Sequence, residues 1–119
     1  MARILLAEDD SSLRGFLTRA LERAGHEVVD CENGDDAIDA LEHGPYDLLL
    51  TDIVMPGADG IEVARVAAAR QPGLRIMFIT GFAAVALSAA QASPQAKVLS
   101  KPVHLRDLVS EVERMVAAA

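Results

Sequence analysis

The chain has 119 residues, 51% of them hydrophobic, and a formal net charge of −7. That length suits one domain that buries roughly two-thirds of its unfolded surface, so a core closes without a disulfide or structural metal, and the apolar content excludes disorder. The acidic balance, with no run among the eleven Lys and Arg residues, argues against direct binding to nucleic acid, which requires a basic face.

Cys31 is the single cysteine. It excludes an internal disulfide and suits a reducing, cytoplasmic compartment. The start, Met1-Ala2-Arg3, does not read as a secretory signal, because the apolar run after it breaks at Glu8-Asp9-Asp10. No apolar stretch approaches the ~20 residues of a membrane helix, so no membrane partner is expected.

Short apolar runs alternate with amphipathic stretches. Arg3 to Ala7 reads as a strand ending in acids. Leu13, Phe16, Leu17, Ala20, Leu21 and Ala24 then recur at helical spacing, with Asp10, Ser11 or Ser12 as cap and Gly25 as terminator. Glu27 to Cys31 is the second strand, with Asn33-Gly34 as a turn after it. Asp36 to Glu42 is a short helix turning Ala37, Ile38 and Leu41 inward, stopped by His43-Gly44-Pro45. Leu48 to Thr51 is a strand apolar on both faces. Met55 to Gly60 is a loop, Ile61 to Arg70 a helix closed by Gln71-Pro72-Gly73, and Ile76 to Thr80 the fourth strand. Ala83 to Gln91 is an Ala-rich helix broken by Ser93-Pro94. Lys97 to Ser100 is a short fifth strand, and Leu105, Leu108, Val109, Val112, Met115 and Val116 mark the last helix, with Ala117 to Ala119 as its fraying end.

This order is βα repeated five times. Strands apolar on both faces, each followed by a helix, predict an α/β fold: a doubly wound, parallel, five-stranded (βα)5 sheet of the flavodoxin-like kind. The whole chain, 1–119, reads as one domain with no linker and no output domain.

Ligand sites of such sheets lie at the carboxyl ends of the strands. There the sequence places Glu8-Asp9-Asp10 after the first strand, Asp52 after the third, Thr80 at the end of the fourth and Lys101 after the fifth. Clustered carboxylates repel one another unless a cation joins them. Magnesium takes one or two carboxylates together with water and phosphate oxygens. A lysine and a hydroxyl beside them can contact a phosphoryl group, and a carboxylate can attack one.

The runs Ile4-Leu5-Leu6-Ala7-Glu8-Asp9-Asp10, Leu49 to Gly60, Phe78-Ile79-Thr80-Gly81 and Ser100-Lys101-Pro102 together resemble the receiver domains of two-component response regulators, across essentially the whole chain. The resemblance implies that Asp52 is the phosphoacceptor and that Thr80 and Lys101 contact the phosphoryl group. It implies a Mg2+ site made by Glu8, Asp9 and Asp52 with the backbone carbonyl of Val54, Asp9 being the more direct ligand of the acidic pair. It also implies a cis bond at Lys101-Pro102, and a histidine kinase or histidine phosphotransferase as phosphodonor. Within the family the likeness is to stand-alone receivers that steer regulated proteolysis, so a downstream protein such as a protease–unfoldase complex is the expected partner. An intermediate carrier passing the phosphoryl group to another histidine would use the same residues.

Two positions depart from the family pattern. Val98 stands three residues before Lys101, where Tyr or Phe is frequent, which excludes an aromatic rotamer switch there. Val54 and Phe82 put apolar groups beside the site. Phosphatases with an aspartate nucleophile carry a second Asp two residues after it, and Val54 at that position argues against enzymatic turnover of an external substrate. Asp10 reads as a cap, and Asp59-Gly60 as a loop and cap device. His26, His43 and His104 read as surface or loop residues without metal spacing, and Cys31 as a small buried hydrophobe. The uncharged run from Phe82 to Leu87 is too apolar for a helix exposed along one side, which predicts a partner face.

Overall fold

A computed structural model describes residues 1–92 and 95–117, and the side chains of 83–84 are not described. The expected break at Ser93-Pro94 and the tail at Ala118-Ala119 lie outside the described residues.

Five strands, β1 (Arg3–Ala7), β2 (Glu27–Cys31), β3 (Leu48–Asp52), β4 (Arg75–Thr80) and β5 (Lys97–Ser100), alternate with five helices, α1 (Ser11–Arg23), α2 (Gly34–Ala40), α3 (Gly60–Arg70), α4 (Ala83–Ala92) and α5 (Leu105–Ala117). All strand pairs are parallel, in the order β2-β1-β3-β4-β5. Alternation along the central strands builds two cores. Leu5, Leu49 and Phe78 face Ala37, Val63, Ala64, Ala67 and Ala89 from α2, α3 and α4. Ile4, Leu6, Leu48, Leu50, Met77 and Ile79 face Leu17 and Leu21 of α1 and Leu108 and Val112 of α5. Each of the larger side chains among these contributes about 1.5–3 kcal/mol through burial, and covering both faces is why β3 is buried throughout and apolar from Leu48 to Leu50. The strand order reverses between β1 and β3, which opens a crevice at their carboxyl ends.

Local capping sets where the helices begin. Asp10 caps α1 by accepting the Leu13 N–H, Asn33 caps α2 through the Asp36 N–H, and Asp59 caps α3 through the Glu62 N–H. Asn33-Gly34 is therefore a helix start and not a free turn, and α2 begins two residues earlier than the sequence pattern predicts. A 3-10 turn over Leu41–His43 follows α2. Both Gly44-Pro45 and Lys101-Pro102 are cis.

One histidine departs from expectation. His43 and His104 are exposed, but His26 is buried: its Nδ1 accepts the Ala2 N–H at 3.0 Å and its Nε2 lies 2.7 Å from Glu113 Oε1. It is a packed tie between the amino end of the sheet and α5. Cys31 is half-buried against the core, and burial, followed by the charges of Asp36 and Asp30, pushes its thiol up to about 11, which keeps it protonated and inert.

Candidate functional site

Three strand ends deliver the charged groups. β1 runs directly into Glu8 and Asp9, β3 ends on Asp52 itself, and β5 is followed by Lys101. Pairing between Asp52 and Ile79 and between Thr80 and Ser100 sets the depths of Asp52, Thr80 and Lys101 at this edge. Asp52 and Glu8 are buried, whereas Asp9 is exposed. One carboxylate oxygen from each of Glu8, Asp9 and Asp52 lies within 4.8 Å of the other two.

Lys101 spans this cluster. Its Nζ donates to Asp52 Oδ2 at 2.8 Å and lies 3.1 Å from Glu8 Oε1. Burial opposes its charge, but the hydrogen bond to Asp52 and the nearby Glu8 carboxylate outweigh burial and raise its pKa. The other oxygen of Asp52 accepts the Ile53 N–H at 2.7 Å, so the carboxylate is fixed at both oxygens. Thr51, one residue earlier, donates its hydroxyl to the Asp52 carbonyl. Thr80 ends β4, buried, with its Oγ1 accepting the Phe82 N–H at 3.2 Å. That bond ties the start of the β4–α4 segment to the hydroxyl.

Glu8 is the strained member. Its Oε2 accepts the Asp10 N–H at 3.0 Å. Its Oε1 is buried and, although 3.1 Å from Lys101 Nζ, has no hydrogen-bond partner among the described residues. Burial, with Asp52 as the repelling neighbour, raises its carboxyl to about 7, against the pull of the Asp10 N–H and of Lys101. When all are ionised, three carboxylates and one ammonium leave a charge of −2 at one rim. Hard oxygen donors, an orphaned buried oxygen and this charge fit a divalent cation of the magnesium type.

Arg14, which the sequence pattern did not single out, supports the acidic pair. Its Nη1 donates to the backbone carbonyl of Glu8 at 2.8 Å, and its Nε lies 3.4 Å from Asp30 Oδ2. The available signal was spacing: Arg14 lies one helical turn after the cap Asp10, on the side facing β1. Val54, two residues after Asp52, is 48% exposed and Phe82, two after Thr80, 59%, so both segments that leave the site strands carry exposed apolar side chains. Leu87 is exposed on α4, while Val85 packs partly against the core.

The model of the response regulator receiver domain matches residues 4–113. The response regulator receiver protein CpdR of Brucella abortus is 60% identical over 120 residues, covering 100% of both chains. A solved response regulator receiver protein from Sinorhizobium medicae is 34% identical, with a TM-score of 0.89 over 98% of this chain and 94% of that one. The response regulator TrrA of Thermotoga maritima, solved in complex with Mg2+ and BeF, is 28% identical, with a TM-score of 0.85 over 97% and 99% of the two chains. Five parallel strands with the acidic crevice at their carboxyl ends, and a family match across nearly the full length, give one conclusion: the chain belongs to the receiver domains of two-component response regulators.

Proposed function

We propose that the chain is a phosphorylation-controlled switch in which Asp52 accepts a phosphoryl group from a phosphohistidine. The observation that carries this is the position of Asp52: buried at the end of β3, fixed by the Ile53 N–H and Lys101, and within 4.8 Å of two further acids. An Asp52 oxygen attacks phosphorus, the P–N bond to the donor imidazole breaks, and the imidazole leaves protonated as the neutral base. Lys101 neutralises charge on the phosphoryl oxygens, and Thr80 turns its hydroxyl from the Phe82 N–H toward one of them. Glu8, Asp9 and Asp52, with the Val54 carbonyl, would hold Mg2+, which offsets the remaining charge on the transferring group.

The donor is a histidine kinase or a histidine phosphotransfer protein. Thr80 and the segment after it supply the switch, since Phe82 hangs on the hydroxyl that a phosphoryl group would claim. Phe82 and Leu87, both exposed, make the α4 side the surface read by a downstream partner. Likeness to the receiver protein CpdR along the full length supports a cytoplasmic receiver, and the partner proposed for it is a protein of regulated proteolysis such as a protease–unfoldase complex. No helix among the described residues is long and apolar enough to cross a membrane.

The test is phosphorylation by acetyl phosphate with magnesium, read by intact mass. Wild type should gain one phosphoryl group and Asp52→Asn none, and chelation should stop the reaction. Labelling of Asp52→Asn at another residue would refute the assignment.

A further inference from the structure

Three of the groups assigned to magnesium stand on or directly after strands. The fourth, the Val54 carbonyl, belongs to the loop between β3 and α3, and the Val54 side chain is exposed. Its direction is therefore set by the loop backbone. The Gly60 N–H donates to the Ile53 carbonyl at 2.8 Å, which closes the loop at its base. Its outer span is held from across the sheet edge by the start of α2.

The Asp35 carboxylate lies over that span. Oδ1 accepts the Ala58 N–H at 3.3 Å, and a Cβ on Gly57, where φ is +74°, would come within 2.4 Å of Oδ2. One residue earlier, a Cβ on Gly34 would meet the Ala58 carbonyl oxygen at 1.8 Å, and the Gly34 N–H approaches the Pro56 carbonyl at 3.4 Å. The Gly34 contact is backbone against backbone, so no side chain can swing aside to loosen it. The α2 start is itself fixed, because Asn33 Oδ1 accepts the Asp36 N–H at 2.7 Å and its Nδ2 donates to Asp36 Oδ2 at 3.2 Å.

We infer that Asp35 is a positioning residue for the Val54 carbonyl, acting through the Ala58 N–H to hold the β3–α3 loop in its metal-binding form. This rests on the reading of Glu8, Asp9, Asp52 and Val54 as the magnesium site. A loop ordered in advance does not lose that freedom when the cation binds, so the clamp should raise affinity without touching the metal.

The experiment is calorimetric titration with magnesium chloride of wild type, Asp35→Ala, Asp35→Asn and Asp9→Asn, with the melting temperature of each taken in EDTA. Asp35→Ala should bind about two- to tenfold more weakly, the range expected for one lost hydrogen bond. Asp35→Asn loses the same charge but keeps an acceptor oxygen, so it should recover most of the affinity. Melting temperatures in EDTA should stay close for wild type and both Asp35 variants. Equal binding by Asp35→Ala and wild type overturns the inference, as does an Asn variant as weak as the Ala variant. A lower melting temperature in EDTA with an unchanged rise on adding magnesium shows a purely structural Asp35 and also overturns it. Equal binding, or none, by wild type and Asp9→Asn instead removes the metal reading, and this inference with it.

Discussion

The two ends of the sheet treat their polar groups in opposite ways. At the amino end, Arg3 donates from Nε to Glu27 at 2.6 Å and from Nη1 to the carbonyls of His43 and Pro45, and its guanidinium covers the Tyr46 ring at 4.5 Å. Asp47 accepts the Arg3 N–H, and His26 bridges Ala2 and Glu113. Donors there meet acceptors and the network closes. At the carboxyl end, among the described residues, three carboxylates face one ammonium, and a buried oxygen of Glu8 has no hydrogen bond. A closed network serves stability. An open one is an expense the rest of the fold carries, and it marks where a charge from outside belongs.

The largest effect expected from altering this contrast lies at the rim of the open end. Hydrolysis of an aspartyl phosphate needs a water in line with the breaking bond. Val54 and Phe82 are exposed, and at the mouth of the site, where the receiver resemblance puts them, they can crowd that water but offer it no hydrogen bond. Val54→Asn combined with Phe82→Glu should speed loss of the phosphoryl group about ten- to hundredfold, or about 1.4–2.7 kcal/mol of barrier. Decay of phosphorylated protein after donor removal, in saturating magnesium, measures it. Equal or slower decay means that loop motion sets the lifetime.

The closed end should respond in stability. His26→Leu roughly keeps the volume but leaves the buried Ala2 N–H without its acceptor and Glu113 without its donor. The expected loss is about 2 kcal/mol in urea unfolding. A loss below about 0.5 kcal/mol would show that the amino end tolerates an open network too.

At the open end, removing a charge should do the reverse. The folded chain holds the Glu8 proton up to about 7, whereas a free glutamate carboxyl gives it up near 4.5. The stability that this proton confers is complete below the lower value and is lost as pH rises through the higher one. In EDTA the wild type should therefore lose about 1 kcal/mol between pH 6 and pH 8. Glu8→Gln should flatten this part of the pH dependence and be the more stable protein at pH 8. Parallel pH profiles for the two would show that Glu8 is not the strained group.

Much of this contrast is legible in the sequence because both sides of it follow local rules. The strands are apolar on both faces and the helices keep a 3.6-residue period, so the (βα)5 order can be read directly. The site groups each end or follow a strand, which fixes Glu8, Asp9, Asp52, Thr80 and Lys101 at one edge once the sheet is parallel. His26 leaves no such trace: its partners are 24 and 87 residues away, and a lone histidine between Gly25 and Glu27 has no periodicity to betray its burial. Asn33-Gly34 was ambiguous because the same pair suits a turn and a helix start. Only the contact with Ala58 reveals why glycine stands at position 34. Arg14 and Asp35 belong to the same class, since their roles are set by backbone groups of other elements.

The smallest expected effect concerns the surface beyond the open end. Within α4, Leu87 is 63% exposed, whereas Val85 is half-buried against the core. The helix carries no charged residue in either its first or last turn, so a new carboxylate at Leu87 meets no buried partner and displaces little packing. Leu87→Glu should change unfolding stability by less than about 0.5 kcal/mol, as surface substitutions generally do. Val85→Glu, by contrast, forces a charge against apolar neighbours and should cost several times more. The pair separates packing from recognition. If the α4 side is the surface a partner reads, Leu87→Glu stays folded by circular dichroism and still loses capture of its partner from cell extract. A Leu87→Glu protein that unfolds with Val85→Glu would show instead that the apolar run serves the core, and that the partner face lies elsewhere.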